Sequence, residues 1–152
     1  MSAVSAGLSC PPAPQGEGAI RFAGYAAIFD RVDRGGDVVR AGAFRRAVEA
    51  GPKGVPLLWQ HDPARPIGRI DYLAEDGHGL RVIGRLSGRS PAAREAAARI
   101  GDGSVRGLSF GYRVRGSAQR TNRELLDLDL VEVSLVTFPM QPRARVHAVE
   151  RI

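Results

Sequence analysis

The stretch Leu125–Phe138 reads L-L-D-L-D-L-V-E-V-S-L-V-T-F, and its reading decides the fold. The spacing predicts extended chain, either one long bent strand or two. Every second residue gives Leu128, Leu130, Glu132, Ser134, Val136 and Phe138. A strand therefore sets Glu132 in an apolar row. Val131 and Val133 on the alternate row are apolar too, which predicts cover on both faces. A carboxylate in that setting needs a charged or hydrogen-bonded partner. On pattern alone, an ion pair with one of the chain's many arginines is the plainer account, and catalysis is the sharper one.

Working outward, Val105–Arg115 also alternates and reads as a strand. Ser109 shares a face with Gly107 and Gly111, while Leu108, Phe110 and Tyr112 lie on the core side. Glycines on either side of a serine clear the space around its hydroxyl and let another backbone approach closely, as a peptide substrate must. A plain strand serine beside bulge glycines is the alternative. G-L-S-F-G matches the G-x-S-x-G nucleophile elbow, but that elbow needs a helix after the serine. Here F-G-Y-R-V-R continues as strand.

Val55–Gln60 is a short apolar strand closed by Asp62-Pro63. His61 at its end can turn its ring toward a cleft, or pack on Trp59 or the turn. Asp62 serves the turn rather than the imidazole. His78 lies in a Gly-flanked turn and reads as solvated, and His147, beside arginines, is a reserve candidate. Three dispersed histidines with no H-x-x-x-H or H-x-H spacing give no metal signal.

The remaining elements complete a mostly β chain. Ile20–Phe29 reads as a strand, Asp30–Asp37 as a loop, and Ala41–Ala50 as a short helix stopped by Gly51-Pro52. Pro66–Leu73 and Leu80–Leu86 form a strand pair around the turn Glu75–Gly79. Ser90–Ile100 is the clearest helix, with Ser90 as cap, Pro91 in the first turn and Gly101 at its end. Ala144–Val149 is a last extended piece. About seven strands and two helices, in an order too irregular for βαβ units, predict a mostly antiparallel barrel or sandwich with helical insertions.

A chain of 152 residues fits one domain with a real core. Residues 1–18 are small and Pro-rich and read as a disordered arm on a cytosolic protein, leaving 19–152 as the folded domain. Cys10, the only cysteine, falls in that arm, so no intramolecular disulfide and no multi-Cys metal site is expected. No stretch is apolar enough to span a bilayer. The charge is +6, and Lys53 is the only lysine. The arginines are scattered, with no basic block and no aromatic interleaving, so neither nucleic acid nor membrane is expected as a partner. An acidic protein partner suits the charge as well.

Six blocks in order resemble the HK97-type phage prohead protease family. They are F-A-G-Y-A-A-I-F-D at Phe22–Asp30, G-D-V-V-R-A-G-A-F at Gly36–Phe44 and V-P-L-L-W-Q-H-D-P at Val55–Pro63. P-I-G-R-I at Pro66–Ile70, G-L-S-F-G-Y at Gly107–Tyr112 and D-L-V-E-V-S-L-V-T-F-P at Asp129–Pro139 follow. The resemblance implies a herpesvirus-protease-like antiparallel β-barrel with about two helices. It implies a serine peptidase whose catalytic residues fall on His61, Ser109 and Glu132. Herpesvirus enzymes carry a second histidine in a similar H-V-x-L strand; E-V-S-L here supports Glu132 over His147. By the same analogy, the loop around Met140 and Gln141 is the candidate source of oxyanion donors. The implied substrate is the scaffolding segment of a major capsid protein inside an assembling prohead, in the cytoplasm of a bacterial host. Self-cleavage and self-association belong to the same picture, and no cofactor is implied. A non-catalytic capsid-assembly protein with the protease fold is the rival. Many family members continue further at the C terminus, so a compact member from a prophage or gene transfer agent is one expectation and a lost targeting device another.

Overall fold

The computed structural model describes residues 20–152; the arm and Cys10 lie outside the described residues. Among the described residues eight strands occur: β1 (Ile20–Ile28), β2 (Asp37–Val39), β3 (Leu57–Trp59), β4 (Asp62–Glu75), β5 (Gly79–Leu86), β6 (Gly107–Gln119), β7 (Arg123–Val136) and β8 (Val146–Arg151). The helices are α1 (Arg45–Ala50) and α2 (Pro91–Asp102). Leu125–Phe138 is thus one strand, begun two residues early and ended two residues short. The expected helix over 41–50 is shorter, because Ala41–Phe44 are turns whose amides are spoken for. The Glu75 carboxylate accepts from Gly42 N and Phe44 N, each at 2.8 Å.

α2 begins as its sequence indicates, with Ser90 Oγ accepting from Ala93 N at 3.0 Å. It runs past Gly101 and ends at Gly103, whose φ of 81° is left-handed. Ala93, Ala96 and Ile100 fall on one helical face and are fully buried, and the helix packs chiefly on β4. Phe22, Leu57, Ile67, Leu80, Leu86, Leu108, Leu128 and Leu135 join them in a single core. Burial of each such side chain contributes about 1.5–3 kcal/mol.

The sheet order is β2-β7-β3-β4-β5-β1-β8, with β6 along β7. Most pairings are antiparallel, but β2 and β3 both run parallel to β7. The expected closed barrel is not completed by continuous ladders. Among the described residues, β6 and the segment leading into β8 meet only at the isolated bridge Gly107↔Arg145. Beyond it β8 turns away to pair with β1, from Gly24↔Val146 onward. The strand missed by sequence is β2, three residues whose partner in β7 lies 86 residues away, Asp37↔Arg123.

Candidate active site

The site is built on β7, with β6 on one edge and the β3–β4 turn at the other. β6 and β7 are antiparallel, with Ser109 opposite Ser134 and Gly111 opposite Glu132. Residues directly opposite in such a pair point to the same face. Ser109, Gly111, Glu132 and Ser134 therefore share one small patch. Ser109 is 6% exposed and Glu132 8%.

His61 reaches that patch from a tight turn. Trp59 and Asp62 pair across it, and the two central residues have positive φ, 53° at Gln60 and 62° at His61. That is the requirement of a type I′ hairpin, which favours Asn-Gly. For a residue with a Cβ the left-handed region costs about 1–2 kcal/mol, and surrounding contacts must hold it there. Those contacts are present. Gln60 N donates to Leu135 O at 2.9 Å, Gln60 Nε2 to Thr137 Oγ1 at 2.7 Å, and Thr137 N to Gln60 Oε1 at 3.1 Å. His61 N donates to Ser134 Oγ at 3.2 Å. Asp62 serves the turn, its Oδ1 accepting from Ala64 N at 2.9 Å.

The His61 ring then meets Glu132, Nδ1 to Oε2 at 2.6 Å. Its side chain is 44% exposed and that of Glu132 11%, so the ring spans from the buried acid to solvent. The other carboxylate oxygen, Oε1, accepts from Ser134 Oγ at 2.6 Å. No arginine pairs with Glu132 among the described residues; the buried acid is answered by an imidazole and a hydroxyl. Cover on both faces is only partial, since Val131 is 38% exposed. Ser109 Oγ makes no hydrogen bond among the described residues.

The glycines beside Ser109 have uses that the sequence did not disclose. A Cβ at Gly111 would stand 3.0 Å from Glu132 Cδ and 3.1 Å from its Cγ. A Cβ at Gly107 would stand 2.7 Å from Val136 O and 2.8 Å from Pro139 Cδ. The room they leave is taken by the protein's own acid and by the loop after β7. That loop crosses Gly107, two residues before Ser109. Its Gln141 side chain is buried and clips the β1 backbone, accepting from Ile28 N at 2.8 Å and donating to Ile28 O at 2.9 Å. Phe138 and Met140 on the same loop are 81% and 48% exposed.

The other histidines lie elsewhere. His78 and His147 are both exposed, and their rings stand 6.0 and 5.6 Å from Tyr25. The Tyr25 hydroxyl donates to Asp76, which holds the phenol above its usual range. Among the described residues no group of three His, Cys, Asp or Glu side chains is placed to hold a metal ion, and no helix is long and apolar enough to cross a membrane.

Sequence reasoning named His61, Ser109 and Glu132 and missed Ser134, Gln60 and the function of Gly111. Ser134 was legible in one respect, since it stands two residues from Glu132 in the same alternating row.

The architecture is that of the herpesvirus and phage capsid proteases. The capsid assembly protease of bacteriophage T4 superposes with a TM-score of 0.58 at 16% identity, over 76% of this chain and 80% of that one. A Kaposi's sarcoma herpesvirus protease bound to a hexapeptide phosphonate inhibitor gives 0.56 at 14% identity, over 88% and 66%. Likeness at that level of identity speaks for the fold alone. Sequence narrows it further: the family of caudovirus prohead serine proteases matches over residues 11–152, and the chain belongs to that family. The prohead protease of Enterobacteria phage HK97 is 32% identical over 136 residues, 86% of this chain. A capsid polyprotein of Pseudomonas phage PAJU2 is 29% identical over 107 residues. The chain spans 60% of the HK97 protein's length and 16% of the polyprotein's.

Proposed function

We propose that this chain is a serine endopeptidase of capsid maturation, with Ser109 as nucleophile, His61 as general base and Glu132 as its orienting acid. The observation that carries the reading is the 2.6 Å contact between His61 Nδ1 and a buried Glu132, two residue pairs along the sheet from Ser109. With Nδ1–H donated to the carboxylate, Nε2 is the basic nitrogen. It would take the Ser109 proton as the hydroxyl attacks a peptide carbonyl and pass it to the leaving amine. Glu132 fixes the tautomer and stabilises the imidazolium without taking the proton. Backbone amides at Met140 and Gln141, on the loop that crosses Gly107, are the donors assigned to the oxyanion.

The substrate under this reading is the scaffolding segment of a major capsid protein, and the place is the assembling prohead within a bacterial host's cytoplasm. Membership of the prohead protease family supports it, as does likeness to one region of a capsid polyprotein. Self-cleavage is a second expected reaction.

Co-expression with a major capsid protein that carries its scaffolding segment tests the proposal. Wild type shortens the capsid protein and Ser109→Ala leaves it whole. Equal shortening by both defeats the nucleophile assignment. A capsid protein left whole by both favours the non-catalytic assembly reading instead.

A further inference from the structure

We infer that Ser134 is a positioning residue of the site, a hydroxyl that locks acid and base into one geometry. The inference rests on the roles proposed for His61, Ser109 and Glu132. Ser134 is fully buried and its Oγ is used twice. It donates to Glu132 Oε1 at 2.6 Å and accepts the His61 backbone N–H at 3.2 Å. Glu132 offers its remaining oxygen to the His61 ring at 2.6 Å. The three groups close a ring of contacts: hydroxyl to acid, acid to imidazole, and the backbone of the same histidine back to the hydroxyl.

Each contact removes a specific freedom. The bond to Oε1 fixes the carboxylate's rotation, so that Oε2 is aimed at Nδ1. A carboxylate held at one oxygen only can swing about its terminal torsion, which is soft. The bond from His61 N holds a left-handed backbone that a histidine does not favour. Ser134 also sits directly opposite Ser109 on β6, so the locking hydroxyl is built into the strand register that supplies the nucleophile. A serine placed merely to fill space would not direct its one proton to the acid and its lone pair to the base's own backbone.

A fluorophosphonate probe tests this without knowledge of the peptide substrate. Attack forms the Ser109 Oγ–phosphorus bond, expels fluoride and sends the hydroxyl proton to His61. Peptide masses after trypsin digestion locate the adduct, and the rate of labelling measures activation of the hydroxyl. Ser134→Thr and Ser134→Val have the same shape and differ in the hydroxyl, so packing cancels between them. Threonine should retain most of the labelling rate, and valine should lose roughly tenfold or more. Ser134→Ala should fall with valine. The proton on His61 Nδ1, followed by NMR, should keep its downfield position in the threonine variant and lose it in the other two. Equal labelling rates in the threonine and valine variants overturn the inference, as does an unchanged Nδ1 signal in the valine variant. If Ser109→Ala labels as fast as wild type, the nucleophile assignment fails instead.

Discussion

At the scale of single residues, the space inside the site is allotted by glycine. Gly111 lies under the Glu132 side chain with no room for a Cβ. Gly111→Ala should push the carboxylate off His61 and cost about a hundredfold in capsid cleavage. Gly116→Ala on the same strand is the control, since its Cβ would come no nearer than 3.4 Å to Asp127 Cβ, and it should leave cleavage unchanged. Equal loss in both would show that any side chain on β6 is harmful and remove the argument from the acid. The sequence did single out the three residues to which the proposal assigns the chemistry. A carboxylate among valines and a hydroxyl between glycines are anomalies of local pattern, visible without a partner. What it hid is the tenancy of each gap. The register Gly111↔Glu132 joins residues on different strands, and no local pattern reports which backbone faces which. The glycines therefore read as room for a substrate and proved to be room for the protein itself.

At the scale of elements, the turn Trp59–Asp62 does most to aim the His61 ring. Gln60 ties it to Thr137, just past the end of β7, with both ends of its amide. Gln60→Gly relieves a left-handed residue, which favours the fold, and deletes the tie, which frees His61. Thermal melting should move little or upward, while cleavage falls about tenfold or more. Parallel loss of both would mean that the amide serves the fold alone. This turn was placed in the right region by sequence but not recognised as a hairpin, because Gln-His lacks the Asn-Gly signature that marks one. α2 shows the opposite case. Its cap, its Pro91 and its alanine face are all local signals, and it was read almost to the residue. β2 shows the limit again: three residues stabilised by a distant parallel partner carry too little local pattern to be read as strand.

At the scale of the whole molecule, charge fastens the segments that pattern cannot predict. Arg40, just after β2, holds Asp30 and Glu124 at 2.8 Å each, and Arg123 grips Asp37 with two nitrogens at 3.0 and 2.8 Å. The Arg40 guanidinium keeps the Glu124 carboxyl below its usual range. A carboxylate depressed on folding adds stability above its ordinary value of 4.5, and that stability is lost as pH falls through the lower folded value. Arg40→Met should therefore melt below wild type at pH 7, with the two curves converging as pH falls through the lowered Glu124 value. A gap that persists once Glu124 is protonated in both proteins would assign the effect to packing of the arginine stem. The overall β class, the helix count and the single core were legible because they follow from alternation summed over many residues. Closure was not, since it turns on where β8 leaves Arg145. The parallel pairing of β3 with β7, Leu57↔Val133 to Trp59↔Leu135, makes the placing of His61 depend on a strand synthesised long after it. A ribosome that has not yet made Glu132 has released His61 without the acid that meets its ring. Under the proposed roles, a protease able to cut its own kind of neighbour is thereby inert until β7 has been made and has docked on β3.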